Sequence, residues 1–226
     1  MTFKRARTDA QRDLRRRSIL DTAATMLSEM PVAGLSLNEL SRRVGLAKSN
    51  VLRYFESREA VLLELLNSEL YKWIEGLDFS AIDHRADRLA RVDQVAAALA
   101  AGLAARPVLC DLISAQAAVL ERNVSSAVVL LHKRAINESV GVLSQRLTEA
   151  LPELDQTAVY EIIIVTLLMT AGAWPQSQPN AAVLAAYDED AHLAAHRMNF
   201  APFLKRTIIL TTIGLLSIGA EASSSC

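Results

Sequence analysis

Residues 34–66 read GLSLNELSRRVGLAKSNVLRYFESREAVLLELL, and the rest of the chain is parsed outward from this stretch. Ser36 followed three residues later by Glu39 is a capping-box spacing, which predicts a helix starting just after Ser36. Leu37, Leu40 and Val44 recur on one face of that helix. Gly45 can take the positive φ that ends it. A short second helix follows over Ala47 to about Tyr54. Its Val51 and Phe55, four apart, point inward, while Lys48, Ser49, Asn50 and Arg53 point outward. Ser57 caps a further helix, with Glu59 and Glu64 favouring its early turns. Helix, glycine turn and short helix with an outward polar face make a helix-turn-helix pattern, whose second helix enters the DNA major groove. Two short helices joined by a Gly turn also occur in proteins that never touch DNA, so the pattern alone leaves both readings open.

Upstream, a basic and mobile Met1–Thr8 precedes a helix over about Asp9–Met30, with Leu14, Ile19, Ala23, Met26 and Leu27 as its buried stripe. Downstream, the helix from Ser57 runs to Glu75 or Gly76, with Val61, Leu62, Leu65, Leu66, Leu70 and Ile74 inward. Further helices are predicted over about 87–105, 107–123, 125–151, 156–174, 181–196 and 203–220. Leu131, Ile136, Val140, Leu143 and Leu147 are the inward residues of 125–151, residues 77–85 and 175–180 are loops, and 221–226 is a frayed tail. No strand pattern and no repeat occurs. With 51% hydrophobic residues but only 5% aromatic, and few Pro and Gly, the chain reads as all-α.

The near-neutral net charge of −1 hides an asymmetry. Residues 1–58 hold twelve basic and six acidic side chains, and the remainder twelve and nineteen. A basic N-terminal quarter suits a polyanion there, against the competing reading of a solvated charged face. The cysteines Cys110 and Cys226 suggest neither a disulfide framework nor a metal site, which fits a reducing cytoplasm. The Arg-rich start lacks the apolar run of a signal peptide. The longest apolar runs, 162–174 and 207–220, fall short of the ~18–20 residues of a membrane span, and are expected to be helices buried in protein, with no membrane partner.

Ile19-Leu20-Asp21-Thr22-Ala23 ahead of Gly34, the Leu-Asn-Glu-Leu-Ser run from Leu37, Val44-Gly45-Leu46-Ala47-Lys48 and Tyr54-Phe55-Glu56-Ser57-Arg58-Glu59-Ala60-Val61 occur in that order. In these pieces the first third of the chain resembles the N-terminal DNA-binding domain of the tetracycline-repressor (TetR) family. The resemblance implies a three-helix helix-turn-helix domain over 9–56 and a C-terminal helical ligand-binding and dimerisation domain over 57–222. It implies a homodimeric repressor that binds a palindromic operator, with the first helix buttressing the recognition helix. Lys48, Ser49, Asn50 and Arg53 are the candidates for base edges, because Arg or Lys pairs with guanine and Asn with adenine. Ser36, Arg42, Arg43, Tyr54 and Arg58 are the candidates for phosphates, with Arg42 and Arg43 also readable as a solvated flank. The reading face departs from the family at Ser49 (usually Gly or similar), Leu52 (usually aromatic) and Arg53 (often Tyr or His).

The two C-terminal apolar helices need partners on more than one side. Family resemblance pairs them with their copies in a four-helix bundle, with Ile162, Val165, Met169, Phe203, Ile208, Thr211 and Leu215 at the interface; the alternative is that they form the centre of one core. The resemblance also implies an effector pocket among the middle helices. Their apolar composition suggests a small apolar or amphipathic molecule, with Trp73, Cys110, Gln116, Asn137, Tyr160 and Trp174 as candidate lining or else as plain packing. Two other classes compete: a nucleoid protein that binds DNA without sequence preference, and an all-α enzyme. His192 and His196 have i,i+4 metal spacing, but the intervening Leu-Ala-Ala supplies no carboxylate, and no nucleophile elbow, P-loop or dinucleotide fingerprint appears. No catalysis, cofactor or metal is expected.

Overall fold

The computed structural model describes residues 2–80, 82 and 85–224, with side chains from residue 10 to residue 219. Helices α1 (Thr2–Glu29), α2 (Leu37–Val44), α3 (Lys48–Val51), α4 (Arg58–Glu75), α5 (Arg88–Ala104) and α6 (Pro107–Ala115) come first. A π turn (Gln116–Leu120) and a 3-10 turn (Glu121–Asn123) extend α6. Then follow α7 (Ser126–Ala150), α8 (Gln156–Ser177), α9 (Ala181–Glu189), α10 (Ala191–Ala194) and α11 (Phe200–Ser224). No strand occurs among the described residues.

The helices start where the sequence offers caps. Ser36, Asp87, Asp155 and Asn180 each accept, on a side-chain oxygen, the backbone N–H three residues on, satisfying a first-turn donor that has no intrahelical partner. Ser57 does the same for Ala60 at 3.1 Å. Several boundaries differ from the sequence expectation. The first helix begins at Thr2 rather than Asp9, so the segment expected to be mobile is helical. Pro175 lies inside the last turn of α8, which continues to Ser177 and shortens the expected loop. Pro202 is the third residue of α11 rather than its start, a position where the missing N–H costs no intrahelical bond. The expected tail is helical through Ser224, while Ser225 and Cys226 lie outside the described residues, as does His84.

By contacts the chain forms two compact units, Met1–Glu69 with Ala115–Ala135, and Leu70–Ser114 with Ile136–Cys226. This partition differs from the 9–56 and 57–222 division drawn by motif. In the first unit Ile19, Ala23, Met26, Leu40, Val51, Leu62, Leu65 and Leu66 are buried, as their spacing predicts. Leu14 and Leu131 are exposed instead, at 64% and 66%. On α7 the residue that turns inward at this level is the next one, His132, which is buried.

In the second unit α11 packs on α5 and α8. Trp73, Leu99, Leu103, Leu109, Leu147 and Leu204 are among its buried residues, and the Trp174 and Phe200 rings meet edge to face at 5.1 Å. Arginines close helix C-termini there. Arg146 donates to the Ile74 carbonyl at 2.6 Å and to Glu75 at 3.0 Å, and Arg91 donates to the Ala150 carbonyl at 3.2 Å and pairs with Glu153. At 22 and 25 residues, α8 and α11 are long and apolar enough for a membrane span, which corrects the expectation that their apolar runs are too short. Their inner faces are nonetheless packed: Ile162, Ile163, Thr166 and Thr170 of α8, and Leu204, Ile208 and Thr212 of α11, are buried. The three threonines return their hydroxyls to the carbonyl four residues back.

Candidate nucleic-acid interface

The turn before the recognition helix is fixed by torsion. Gly45 has φ 71°, its N–H donates to the Arg42 carbonyl at 3.1 Å, and Leu46 N–H donates to the Ser41 carbonyl at 2.9 Å. This is the Schellman pairing that a left-handed residue makes possible. A Cβ at Gly45 would meet nothing within 4 Å, so the demand for glycine is conformational rather than steric.

α3 itself is one turn, extended to Phe55 by Leu52 N–H on the Lys48 carbonyl (3.0 Å) and Phe55 N–H on the Val51 carbonyl (3.2 Å). Val51 and Phe55 are buried, while Lys48, Ser49, Asn50, Leu52 and Arg53 are exposed. A helix this short cannot hold itself in water. What holds it, besides Val51 and Phe55, is Arg16 of α1. Its guanidinium donates to the Tyr54 carbonyl at 2.6 Å, makes a two-point pair with Glu64 of α4, and lies 4.4 Å from the centre of the Phe55 ring. Sequence reasoning missed Arg16, although it stands three and seven residues before Ile19 and Ala23, on their face of α1.

The candidate phosphate residues separate into groups. Ser36 is exposed, with its oxygen accepting Glu39 N–H at 3.2 Å. Tyr54 is half-buried. Glu39 takes both Arg42 (2.9 and 2.6 Å) and Arg43 (3.0 Å), and Glu29 takes Arg43 at 2.6 Å. The hydrogen bonds from Arg42 and then Arg43 hold the Glu39 carboxyl at about 2. Thus the charge of these two arginines is largely offset within the chain. Arg58, the remaining phosphate candidate, donates to the Val32 carbonyl and to Glu59 (3.1 Å), joining the 3-10 turn at Val32–Gly34 to the start of α4.

The six candidate effector residues differ in burial and in bonding. Asn137 and Tyr160 are exposed, the latter at 51%, so neither lines an interior pocket. Gln116 belongs to the first unit and binds Glu121 at 2.7 Å and His132 at 3.1 Å. Trp73 is fully buried against Gly102, where a Cβ would lie 2.8 Å from the indole nitrogen. Trp174 donates its indole N–H to Asp111 at 2.7 Å. Cys110 is a core thiol: it is fully buried, it donates to the Leu103 carbonyl at 3.3 Å, and burial pushes it up to about 12.

Of the seven interface candidates, Ile162 and Ile208 are buried within this chain. Val165, Thr211 and Leu215 are half-buried, and Met169 and Phe203 are exposed. The outward apolar face also includes Leu168, Leu210 and Ile218. The His192 and His196 rings lie 5.3 Å apart, and no group of three metal-ligating side chains occurs among the described residues.

An all-α chain whose anchored one-turn helix presents Lys48, Ser49, Asn50 and Arg53 outward is a helix-turn-helix protein of the DNA-binding class. The family model of the bacterial regulatory proteins, tetR family, matches residues 19–65, and that of the tetracyclin repressor-like C-terminal domain matches residues 67–218. The chain belongs to the tetR family of bacterial regulatory proteins.

Among curated relatives, the transcriptional regulators EthR of Mycobacterium tuberculosis and Mycobacterium bovis are 40% identical over 55 residues, 24% of this chain. The match spans 26% of their own length. Among solved structures, a TetR regulator from Rhodococcus sp. RHA1 superposes with a TM-score of 0.59 at 15% identity, covering 90% of this chain and 96% of that one. The fatty acid degradation regulator FadR from Bacillus halodurans superposes at 0.54 and 15% identity, covering 87% and 94%. FadR from Bacillus subtilis, in complex with stearoyl-CoA, superposes at 0.50 and 16% identity, covering 85% and 97%. These likenesses concern the fold.

Proposed function

We propose that two copies of this chain form a cytoplasmic homodimeric repressor that reads a palindromic operator and releases it when a small apolar or amphipathic effector binds the second unit. The observation that carries the reading is the recognition face: Lys48, Ser49, Asn50 and Arg53 stand exposed on a helix whose inner side is locked by Val51 and Phe55. The three long polar side chains offer donors for purine edges in the major groove. Ser36, Tyr54, Arg42 and Arg43 contact phosphates, the last two after exchanging part of their bonding to Glu39. Dimerisation uses the outward apolar side chains Leu168, Met169, Leu210 and Ile218, which have no solvent-exposed role in a lone chain. The apolar interior of the second unit supports an apolar effector.

Selection of bound fragments from random duplex DNA tests this. An enriched palindrome supports the dimeric reader, an enriched single half-site removes the dimer, and no enrichment leaves a protein that binds DNA without reading it. On the enriched duplex, Arg53→Ala is expected to cost about 1–3 kcal/mol more than on random duplex. Equal losses on both would take Arg53 off the reading face.

A further inference from the structure

Glu56 directly follows the recognition helix, and its carboxylate is spent 69 residues away in sequence. One oxygen accepts the backbone N–H of Ser125 at 2.6 Å and the other accepts the Ser125 hydroxyl at 2.7 Å. Ser125 stands immediately before α7, and its own oxygen accepts Val128 N–H at 3.4 Å. The amides at a helix start lack intrahelical partners and attract negative charge, so Glu56 serves as an anionic cap delivered from another element. These bonds, the backbone one first, hold its carboxyl below the ordinary range.

A second polar tie reaches α7 two turns on. His132 is buried, with Nδ1 2.6 Å from Asn67 Oδ1 of α4 and Nε2 3.1 Å from Gln116 Nε2. Between the two ties lies a cleft of about 240 Å³, bordered by Arg16, Tyr54, Phe55, Glu56, Leu63 and Leu131. Close packing therefore does not fix where α7 begins relative to the turn that ends the recognition helix. Polar ties do.

We propose that Glu56 is a positioning residue for DNA reading: by holding Ser125, it makes the orientation of the recognition helix depend on the start of α7. The inference rests on the reading that α3 contacts base edges.

The test uses the full chain carrying Glu56→Ala, Ser125→Ala or both, with Glu56→Gln as the milder variant should the alanine unfold. Amide exchange without DNA is compared between residues 51–55 and residues 19–27. Affinity is measured on the selected and on random duplex at several salt concentrations. Glu56→Ala is expected to speed exchange at 51–55 by about tenfold while leaving 19–27 unchanged, and to lower the selected-to-random affinity ratio by a similar factor. The salt slope stays constant because no phosphate contact is lost. Ser125→Ala, which keeps the backbone bond, gives a smaller effect, and the double variant matches Glu56→Ala alone. Unchanged exchange at 51–55, additive effects in the double variant, or equal affinity changes on both duplexes would overturn the proposal. A wild-type chain that selects no sequence defeats the DNA-reading proposal instead, and the exchange measurement still decides the role of Glu56.

Discussion

Replacing Arg16 with alanine removes three contacts that converge on the end of the recognition helix. The charged donor to the Tyr54 carbonyl, at 2.6 Å, is of the kind worth about 1.5–3 kcal/mol. The guanidinium at 4.4 Å from the centre of Phe55 adds about 0.5–1 kcal/mol. The pair with Glu64 is 30% and 36% exposed, so solvent screening holds it to about 1 kcal/mol or less. These terms share one side chain and do not add fully, which puts the expected loss at about 2–3 kcal/mol. Arg16→Lys keeps the charge but loses the planar fork, and should lose about half as much.

Urea unfolding followed by far-ultraviolet circular dichroism measures the loss. Binding to the selected duplex should weaken in parallel, with an unaltered salt slope, because the variant lowers the fraction of chains whose reading face is in place. A stability loss below about 0.5 kcal/mol would refute the anchoring role. So would a salt slope reduced by about one unit, which would make Arg16 a phosphate contact instead.

Gly45→Ala forces an L side chain into the left-handed region and should cost about 1–2 kcal/mol, read from the urea midpoint; a neutral result would mean the turn can re-form with negative φ. His132 should make stability depend on pH. Burial depresses its folded-state value below the ordinary 6.5, against the opposing pull of Glu121 at 3.5 Å. The unfolded chain then binds more protons, so stability is full above about 6.5 and falls as the pH is lowered through that value. Urea midpoints at two pH values on either side of it should differ for the wild type and less so for His132→Gln. Cys110 should resist a thiol reagent in the folded chain at neutral pH and react on unfolding, since its thiol is buried and pushed up to about 12; fast native-state labelling would contradict the burial.

The parts of the site legible in sequence are those set by local rules. Ser36, Gly45, Ser57 and Asp155 announce helix ends because caps act within four residues. Val51 and Phe55 announce the inner side of the recognition helix by their spacing. The polar ties were not legible, because each joins elements distant in sequence: Arg16 to Tyr54 and Glu64, Glu56 to Ser125, Arg58 to Val32. A basic residue beside a helix-turn-helix looks the same in sequence whether its charge faces DNA or a carbonyl. Arg58, for example, donates to the Val32 carbonyl across 26 residues of sequence. The apolar periodicity of α8 and α11 likewise identified buried helices without giving their rotation, which is why Ile162 and Ile208 fall on the inner face and Leu168 and Leu210 on the outer one.

The chain has two tryptophans, Trp73 and Trp174, and both belong to the second compact unit. Trp73 is sealed in the core against Gly102, and Trp174 is hydrogen-bonded to Asp111. Tryptophan emission therefore reports on that unit rather than on melting of the helix-turn-helix. A single tryptophan substituted at Tyr54 or Leu52 would give the DNA-reading unit its own optical signal. Comparing the two signals in one titration would then show whether the chain unfolds as one cooperative body or as two.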